Sequence, residues 1–308
     1  MNKSFSAPKG LICRLIMPLS PETIIDWKTL TTSLMPYVDG FLLDPCFWMR
    51  RDYSFLNTNL FQDLLDYLPD EKLILVHISS RSRDITRENI RKWSFILSRN
   101  FALDQVMWVD TPLLYHSNRG LPDVYREFSR ETSRPFVLEN DPKRVSTVKG
   151  IGHRSNIRTH VLKILVSNPS IVGLIHHGNL SRALNYSRAT RKRHDFSLLD
   201  GEEQHYLEYP STAGLVSITA NVCPRGWARV AGQSLKPGRF SGDPQSLYLI
   251  ISRLKSLSRE LGQRPAEAIS YLLYRGGLLS PAPSLPERIR NELDALYTLL
   301  IKSGEFIV

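Results

Sequence analysis

The chain has 308 residues, 42% of them hydrophobic, with 40 Lys and Arg against 30 Asp and Glu and a formal net charge of +10. This is enough for a large core, in two domains or in one barrel of roughly 250 residues with an extension, and no apolar run is long enough to predict a transmembrane helix. The positive charge is spread out, its densest runs being residues 187–193 and the pair Lys143 and Arg144; no nucleic-acid motif accompanies either, so a solvated face is expected rather than nucleic-acid binding.

The first twenty residues, MNKSFSAPKGLICRLIMPLS, have the basic start and short apolar run of a signal peptide, but Arg14 interrupts the run. Residues 10–17 therefore read as a first strand, bounded by Pro8 and Pro18. A helix is predicted over 21–34, with Ser20 as N-cap and Pro21 in its first turn. Strand 40–43, helix 56–68 stopped by Pro69, strand 72–78, helix 84–100, strand 105–109 and helix 121–131 follow. Strand 135–138 is followed by an insert and a helix over 154–166. Strand 171–175, helix 180–191, strand 196–199, a short helix 202–209, strand 214–218 and helix 224–233 complete eight strand–helix units. From residue 241 the strand signals stop, and 244–261, 265–275 and 285–303 read as three helices.

Alternating short apolar strands and amphipathic helices imply a parallel sheet, and eight such units predict a (β/α)8 TIM barrel over residues 1–235 with a C-terminal three-helix extension over 236–308. An open doubly wound sheet is the runner-up, but no G-x-G-x-x-G follows the first strand. Cys13, Cys46 and Cys223 are odd in number and lack metal or disulfide spacing, which suits a reducing cytoplasm.

Barrel active sites lie at the C-terminal ends of the strands. Those ends carry Asp44, His77, Asp110 with Thr111, Glu139 with Asn140, His176 with His177, Asp200 with Glu202, and Thr219 with Asn221, while Lys143 and Arg144 follow the fifth strand on a segment suited to an anionic ligand. Each also has a plainer reading. A strand-end Asp is often a helix cap, above all Asp44, Asp110 and Asp200, and His77 alone is more often a packing residue. Of His176 and His177, adjacent in a strand, only one can face the barrel axis. His77, Asp110, Glu139 and His176 are the types that hold zinc or manganese, although they lie on different strands. No strand end offers a lysine for Schiff-base chemistry, because Lys72 begins a strand and Lys149 and Lys163 lie in the insert and the following helix.

The segments VDTPLLYHSN, FVLENDPKR, IVGLIHHGNLSRALNY and SLLDGEEQHYLEYPSTAGLVSITANV resemble the dihydrodipicolinate synthase / N-acetylneuraminate lyase family. The resemblance runs in order along most of the chain and is best from Gln105 to Val222. It implies a (β/α)8 barrel with a helical extension, a homodimer or homotetramer, and cleavage or condensation of a 2-oxo acid, usually pyruvate, through a lysine imine. Carried over residue by residue, the imine lysine falls on Ile175, or on His176 if the gap is placed differently, neither of which has an ε-amine, and the catalytic tyrosine on Glu139. Asn140, Pro142 and the carboxylate-binding Arg144 match. The Gly-Thr-Thr-Gly-Glu stretch is replaced by Asp44-Pro45-Cys46-Phe47-Trp48, Tyr115 stands near the place of a second tyrosine, and Asp200, Gly201, Glu202 and 219–222 match as architecture.

The expected function is thus a synthase-like barrel without the family's imine chemistry. It binds a small anionic ligand through Arg144, Asn140, Asp44, Asp110, Tyr115, His177 and Asp200, or serves as a non-catalytic homologue, and it needs no cofactor or membrane. The alternative is a lyase of altered mechanism with Glu139 and His176 as acid and base, with or without a metal. An imine lysine supplied by Lys143 or Lys149 is disfavoured, because a solvated loop lysine keeps its high pKa. DNA or RNA binding rests on charge alone.

Overall fold

The computed structural model describes residues 5–20, 22–49, 58–149, 154–236, 243–261 and 264–307. Eight parallel strands close a barrel in the order β1 (Gly10–Leu15), β2 (Gly40–Leu43), β3 (Leu73–His77), β4 (Val106–Asp110), β5 (Phe136–Asn140), β6 (Ile171–His176), β7 (Ser197–Asp200) and β8 (Gly214–Ser217). The helices are α1 (Trp27–Leu34), α2 (Pro45–Met49), α3 (Thr58–Tyr67), α4 (Arg83–Leu97), α5 (Leu121–Glu131), α6 (Pro142–Lys149), α7 (Thr159–Leu165), α8 (Leu180–Thr190), α9 (Glu203–Glu208), α10 (Pro224–Ser234), α11 (Pro244–Leu261), α12 (Pro265–Arg275) and α13 (Glu287–Lys302). This is the (β/α)8 barrel expected from the alternation of elements. The predicted starts at Pro21 and Leu56 lie outside the described residues.

The chain forms two compact units: Leu73–Leu215 with the residues before Gly10, and Gly10–Lys72 with Val216–Val308. In the first, strands β3 to β6 are buried almost throughout, as parallel strands with both faces covered must be. Helix α5 buries Leu121, Val124, Tyr125 and Phe128, one face at helical spacing. Its Tyr125 and Phe128 rings lie 5.6 and 6.3 Å from Phe136 on β5. Helix α4 is capped by Ser82 and turns polar side chains onto the end of β3. Asn89 donates to the Ile78 carbonyl at 2.9 Å, and Thr86 accepts from the Ser80 amide at 3.0 Å.

The segment read as an insert holds helix α6, and the helix predicted over 154–166 starts later, at Thr159. The backbone before it is committed elsewhere. Ile157 N donates to Asn140 Oδ1 at 2.8 Å and Arg158 N to Asn118 Oδ1 at 2.7 Å, so this stretch is a fastened loop rather than a first helical turn.

In the second unit, Ser20 does not cap a helix. Ser20 and Thr23 close a turn, Ile24–Ile25 is a short strand, and Asp26 caps α1 by accepting from Thr29 N at 3.0 Å. Strand signals do not stop at residue 241 either, since Leu279–Ser280 pairs antiparallel with Ile24–Ile25. Asn221 holds the end of β1, accepting from Ile16 N at 2.9 Å and donating to the Arg14 carbonyl at 2.8 Å. Thr219 accepts from Trp227 Nε1 of α10 at 2.7 Å.

Arg14, which interrupts the apolar run of β1, is 1% exposed. Its Nη1 meets Asp44 Oδ2 at 2.9 Å, and its guanidinium lies 4.6 Å from the Phe47 ring. Asp44 also accepts from Phe47 N at 3.0 Å, capping α2. Asp44 thus has a structural role at the end of β2. Removing one member of a buried ion pair strands the other's charge. Asp44→Ala is expected to cost about 3 kcal/mol in urea unfolding, whereas Arg14→Met with Asp44→Leu should recover most of that loss; equal losses in the two variants would refute the pairing argument.

Candidate functional site

Strand alternation sorts the candidate residues onto two faces. On β5, Phe136 touches the rings of α5, so Phe136, Leu138 and Asn140 face the helices while Val137 and Glu139 face inward. The register carries this to the neighbouring strands. Asp110 pairs with Leu138, Ile175 with Glu139, His176 with Asn140 and Asp200 with His176. Asp110, Asn140, His176 and Asp200 thus share the helix-facing side, and Glu139 and Ile175 share the inner face.

The inner cluster lies wholly within the first unit and centres on Glu139, which is 1% exposed. Its Oε2 accepts from Thr111 Oγ1 at 2.8 Å and lies 3.4 Å from Arg144 Nη1. Its Oε1 lies 3.1 Å from His177 Nε2. His77 Nε2 lies 3.0 Å from Thr111 Oγ1 and 3.6 Å from Glu139 Oε2. Thr111 has one hydroxyl proton; donating it to the carboxylate leaves its oxygen to accept from His77, which puts the imidazole proton on Nε2. Gly201 makes room for this arrangement, since a Cβ there would lie 2.3 Å from His177 Nε2. Among these donors His177 and Arg144 keep some exposure, 12% and 15% of their side chains, so a ligand would meet them first.

The helix-facing residues are occupied structurally. Asp110 accepts from Ser79 Oγ at 2.5 Å and from the Tyr115 and Tyr125 hydroxyls at 2.6 Å each. Burial pushes its carboxyl above the usual range, the three hydroxyl donors pull it back, and the Glu139 charge pushes it up further. Burial and the Asp110 charge hold both tyrosines protonated, well above their ordinary pKa. Asn140 fastens the loop before α7, donating to Asn156 Oδ1 at 3.0 Å and accepting from Ile157 N and, at 3.2 Å, from the Tyr186 hydroxyl. Asp200 meets His205 Nδ1 at 2.5 Å and accepts from Glu202 N at 3.0 Å.

Two expectations are corrected by this sorting. Glu139 and His176 are not an acid–base pair: His176 lies on the other face, its ring edge-on to Tyr186 at 5.2 Å, and the imidazole beside Glu139 is that of His177. The metal set His77, Asp110, Glu139 and His176 does not converge, because Asp110 and His176 point toward the helices. Sequence reasoning missed Tyr125, whose only signal is a place on the buried stripe of α5, and Arg14, whose signal was a charge inside an apolar run. Lys149 is not a solvated loop lysine either. It ends α6, its Nζ donates to the His116 carbonyl at 2.9 Å, and burial lowers its pKa. Lys143 is exposed and pairs with Glu202 at 3.1 Å.

No protein-family model matches the chain, and no curated protein matches it by sequence. Solved structures do. Dihydrodipicolinate synthase from Thermotoga maritima aligns with a TM-score of 0.74 over 98% of this chain and 100% of its own, at 15% identity. The chain has the dihydrodipicolinate synthase fold. The 4-hydroxy-tetrahydrodipicolinate synthase of Methylacidiphilum fumariolicum SolV aligns at 0.71 over 96% and 98% with 21% identity. The Acinetobacter baumannii dihydrodipicolinate synthase, solved with pyruvate, aligns at 0.73 over 96% and 99% with 16% identity. These identities carry the barrel and its helices, not the chemistry.

Burial also lowers the pKa of His176 to about 4, from an ordinary 6.5. The folded chain keeps this imidazole neutral while the unfolded chain takes up a proton below about 6.5, so stability is lost as pH falls from about 6.5 to about 4, by about 3 kcal/mol at this position. Urea unfolding of the parent chain and His176→Asn at several pH values across that window should show the variant with the shallower acid loss; parallel losses would refute a buried neutral His176.

Proposed function

We propose that this chain is a dihydrodipicolinate synthase-like barrel protein that binds a small anionic ligand of the 2-oxo acid class at the inner cluster around Glu139 and does not run lysine Schiff-base aldol chemistry. The observation that carries the reading is the inner-face register pair of Glu139 with Ile175. The resemblance assigns the proton-shuttling tyrosine and the imine lysine to these two positions. An imine requires an amine, and Ile175 is apolar and fully buried. Neither insert lysine favours a substitute: Lys143 is engaged with Glu202, and Lys149 with the His116 carbonyl.

Carboxylate binding beside Glu139 needs compensating charge. Arg144 supplies a guanidinium, and a protonated His177 would add a second cation, leaving the pair with a surplus over Glu139 that a ligand carboxylate can neutralise. The pyruvate bound by the Acinetobacter baumannii enzyme supports the ligand class. A second reading is a lyase of altered mechanism, with Glu139 and His177 as acid and base. The 3.1 Å contact between them favours it, because the buried carboxylate orients the ring.

We further propose a cytoplasmic protein, from its cysteine usage, and a homodimer or homotetramer, from the resemblance. A solved dihydrodipicolinate synthase variant described as monomeric has the same fold at a TM-score of 0.76, so the barrel does not by itself require assembly, and sedimentation velocity decides the state. Among the described residues no helix is long and apolar enough to cross a membrane.

Calorimetry with pyruvate is expected to show binding that weakens about 10- to 100-fold in Arg144→Gln, the effect of losing one charge-assisted contact. Treatment with pyruvate and borohydride should leave the intact mass unchanged. A pyruvyl-lysine adduct would sink the imine-free reading, and no detectable pyruvate binding would sink the ligand class.

A further inference from the structure

A cavity in the first unit, separate in its residues from the Glu139 cluster, has a volume of about 520 Å³. Arg119, Lys149, Arg154 and Arg158 line it, with the imidazoles of His116 and His160, and among the described residues no carboxylate lines it. Several clustered cations elsewhere in the unit are matched. Arg83, Arg87 and Arg91 on α4 pair with Glu127 and Glu131 on α5, and Arg193 pairs with Asp195. Among the described residues none of the four cations lining the cavity pairs with a carboxylate. Four like charges around one concavity repel one another, and an anion in the middle converts that repulsion into attraction.

The walls are held in place. Asn118 donates to the Asn156 carbonyl at 3.0 Å and accepts from Arg158 N at 2.7 Å, tying the loop after β4 to the loop before α7. Lys149 Nζ bonds the His116 carbonyl at 2.9 Å and joins α6 to the same loop. The cations are therefore carried on three chain segments fastened to one another, and a ligand would not have to order them all on binding.

We propose that this cavity is a binding site for a small, multiply charged phosphate-bearing molecule. Arginine dominates the lining, and its planar fork matches phosphate oxygens two at a time. The volume falls in the range of small-molecule sites, roughly 300–1,000 Å³. An extended single-stranded nucleic acid would need aromatic platforms for its bases, and among the described residues no Phe, Tyr or Trp lines the cavity. The site is independent of the proposal for Glu139, since no residue of that cluster lines it.

The test is calorimetry of the full chain at about 0.15 M salt, where loose surface charge is largely screened. The probes are sodium pyrophosphate, inorganic phosphate and a short single-stranded oligonucleotide. Pyrophosphate is expected to bind at one site, more tightly than phosphate, and to weaken at least about 100-fold in Arg154→Gln with Arg158→Gln, the loss of two charge-assisted contacts. The control, Arg188→Gln with Arg191→Gln on the basic end of α8, should bind like the parent. Circular dichroism checks that both pairs of substitutions leave the fold intact. If the first pair fails to fold, weakened pyrophosphate binding in Arg119→Gln and pyrophosphate-induced shifts of the Asn118 and His160 resonances in the parent chain are expected instead. Unchanged binding in the cavity variants, equal loss in the control, or binding of the oligonucleotide without pyrophosphate would each overturn the proposal.

Discussion

A carboxylate removed from water costs several kcal/mol unless donors replace its hydration, and Glu139 is the buried carboxylate around which the inner face of β3 to β6 is arranged. Its partners come from different segments: Thr111 just past β4, Arg144 from α6 and His177 just past β6 reach it directly, and His77 from the end of β3 bonds Thr111. Satisfying one charge therefore holds four segments in a common geometry. A hydrophobic residue at 139 would relax that constraint, and the polar side chains around it would then need other partners.

The opposite face of the same strands solves the same problem differently. Asp110, Asn140 and Asp200 sit one pleat away from the inner cluster and spend their acceptors on hydroxyls, amides and an imidazole from the helical side. These contacts bolt α5, the loop before α7, and α9 to the strand ends. The two polar layers meet electrostatically, because the charge on Glu139 raises the proton affinity of Asp110. A barrel rim dense in polar residues is thus partly a candidate site and partly the fastening that holds the helices in position.

The separation of fold from chemistry is visible in the same few residues. Whole-chain agreement with several dihydrodipicolinate synthases coexists with sequence identities of 15–21%. What such distant chains share is the apolar strand pattern and the helix spacing, which many sequences satisfy. An imine-forming site needs one amine in one desolvated place, and the inner-face neighbour of Glu139 is an isoleucine.

The barrel was legible in the order of residues, because alternating short apolar runs and amphipathic helices are local patterns with few global solutions. Strand ends, and with them the set of polar candidates, were also legible to within a residue or two. Which face each candidate occupied was not. Adjacent histidines such as His176 and His177 are indistinguishable until the pleat and the register with β5 are known, and a slip of one residue exchanges them. The pairing of Ile24–Ile25 with Leu279–Ser280 ahead of α1, the loop held by Asn140, and the partner of Arg14 likewise depend on contacts between residues distant in sequence. By itself, then, the sequence determined the architecture and the chemical types at the rim. Only the tertiary structure decided which of those types meet, since pairing across strands is set by register and burial rather than by order along the chain.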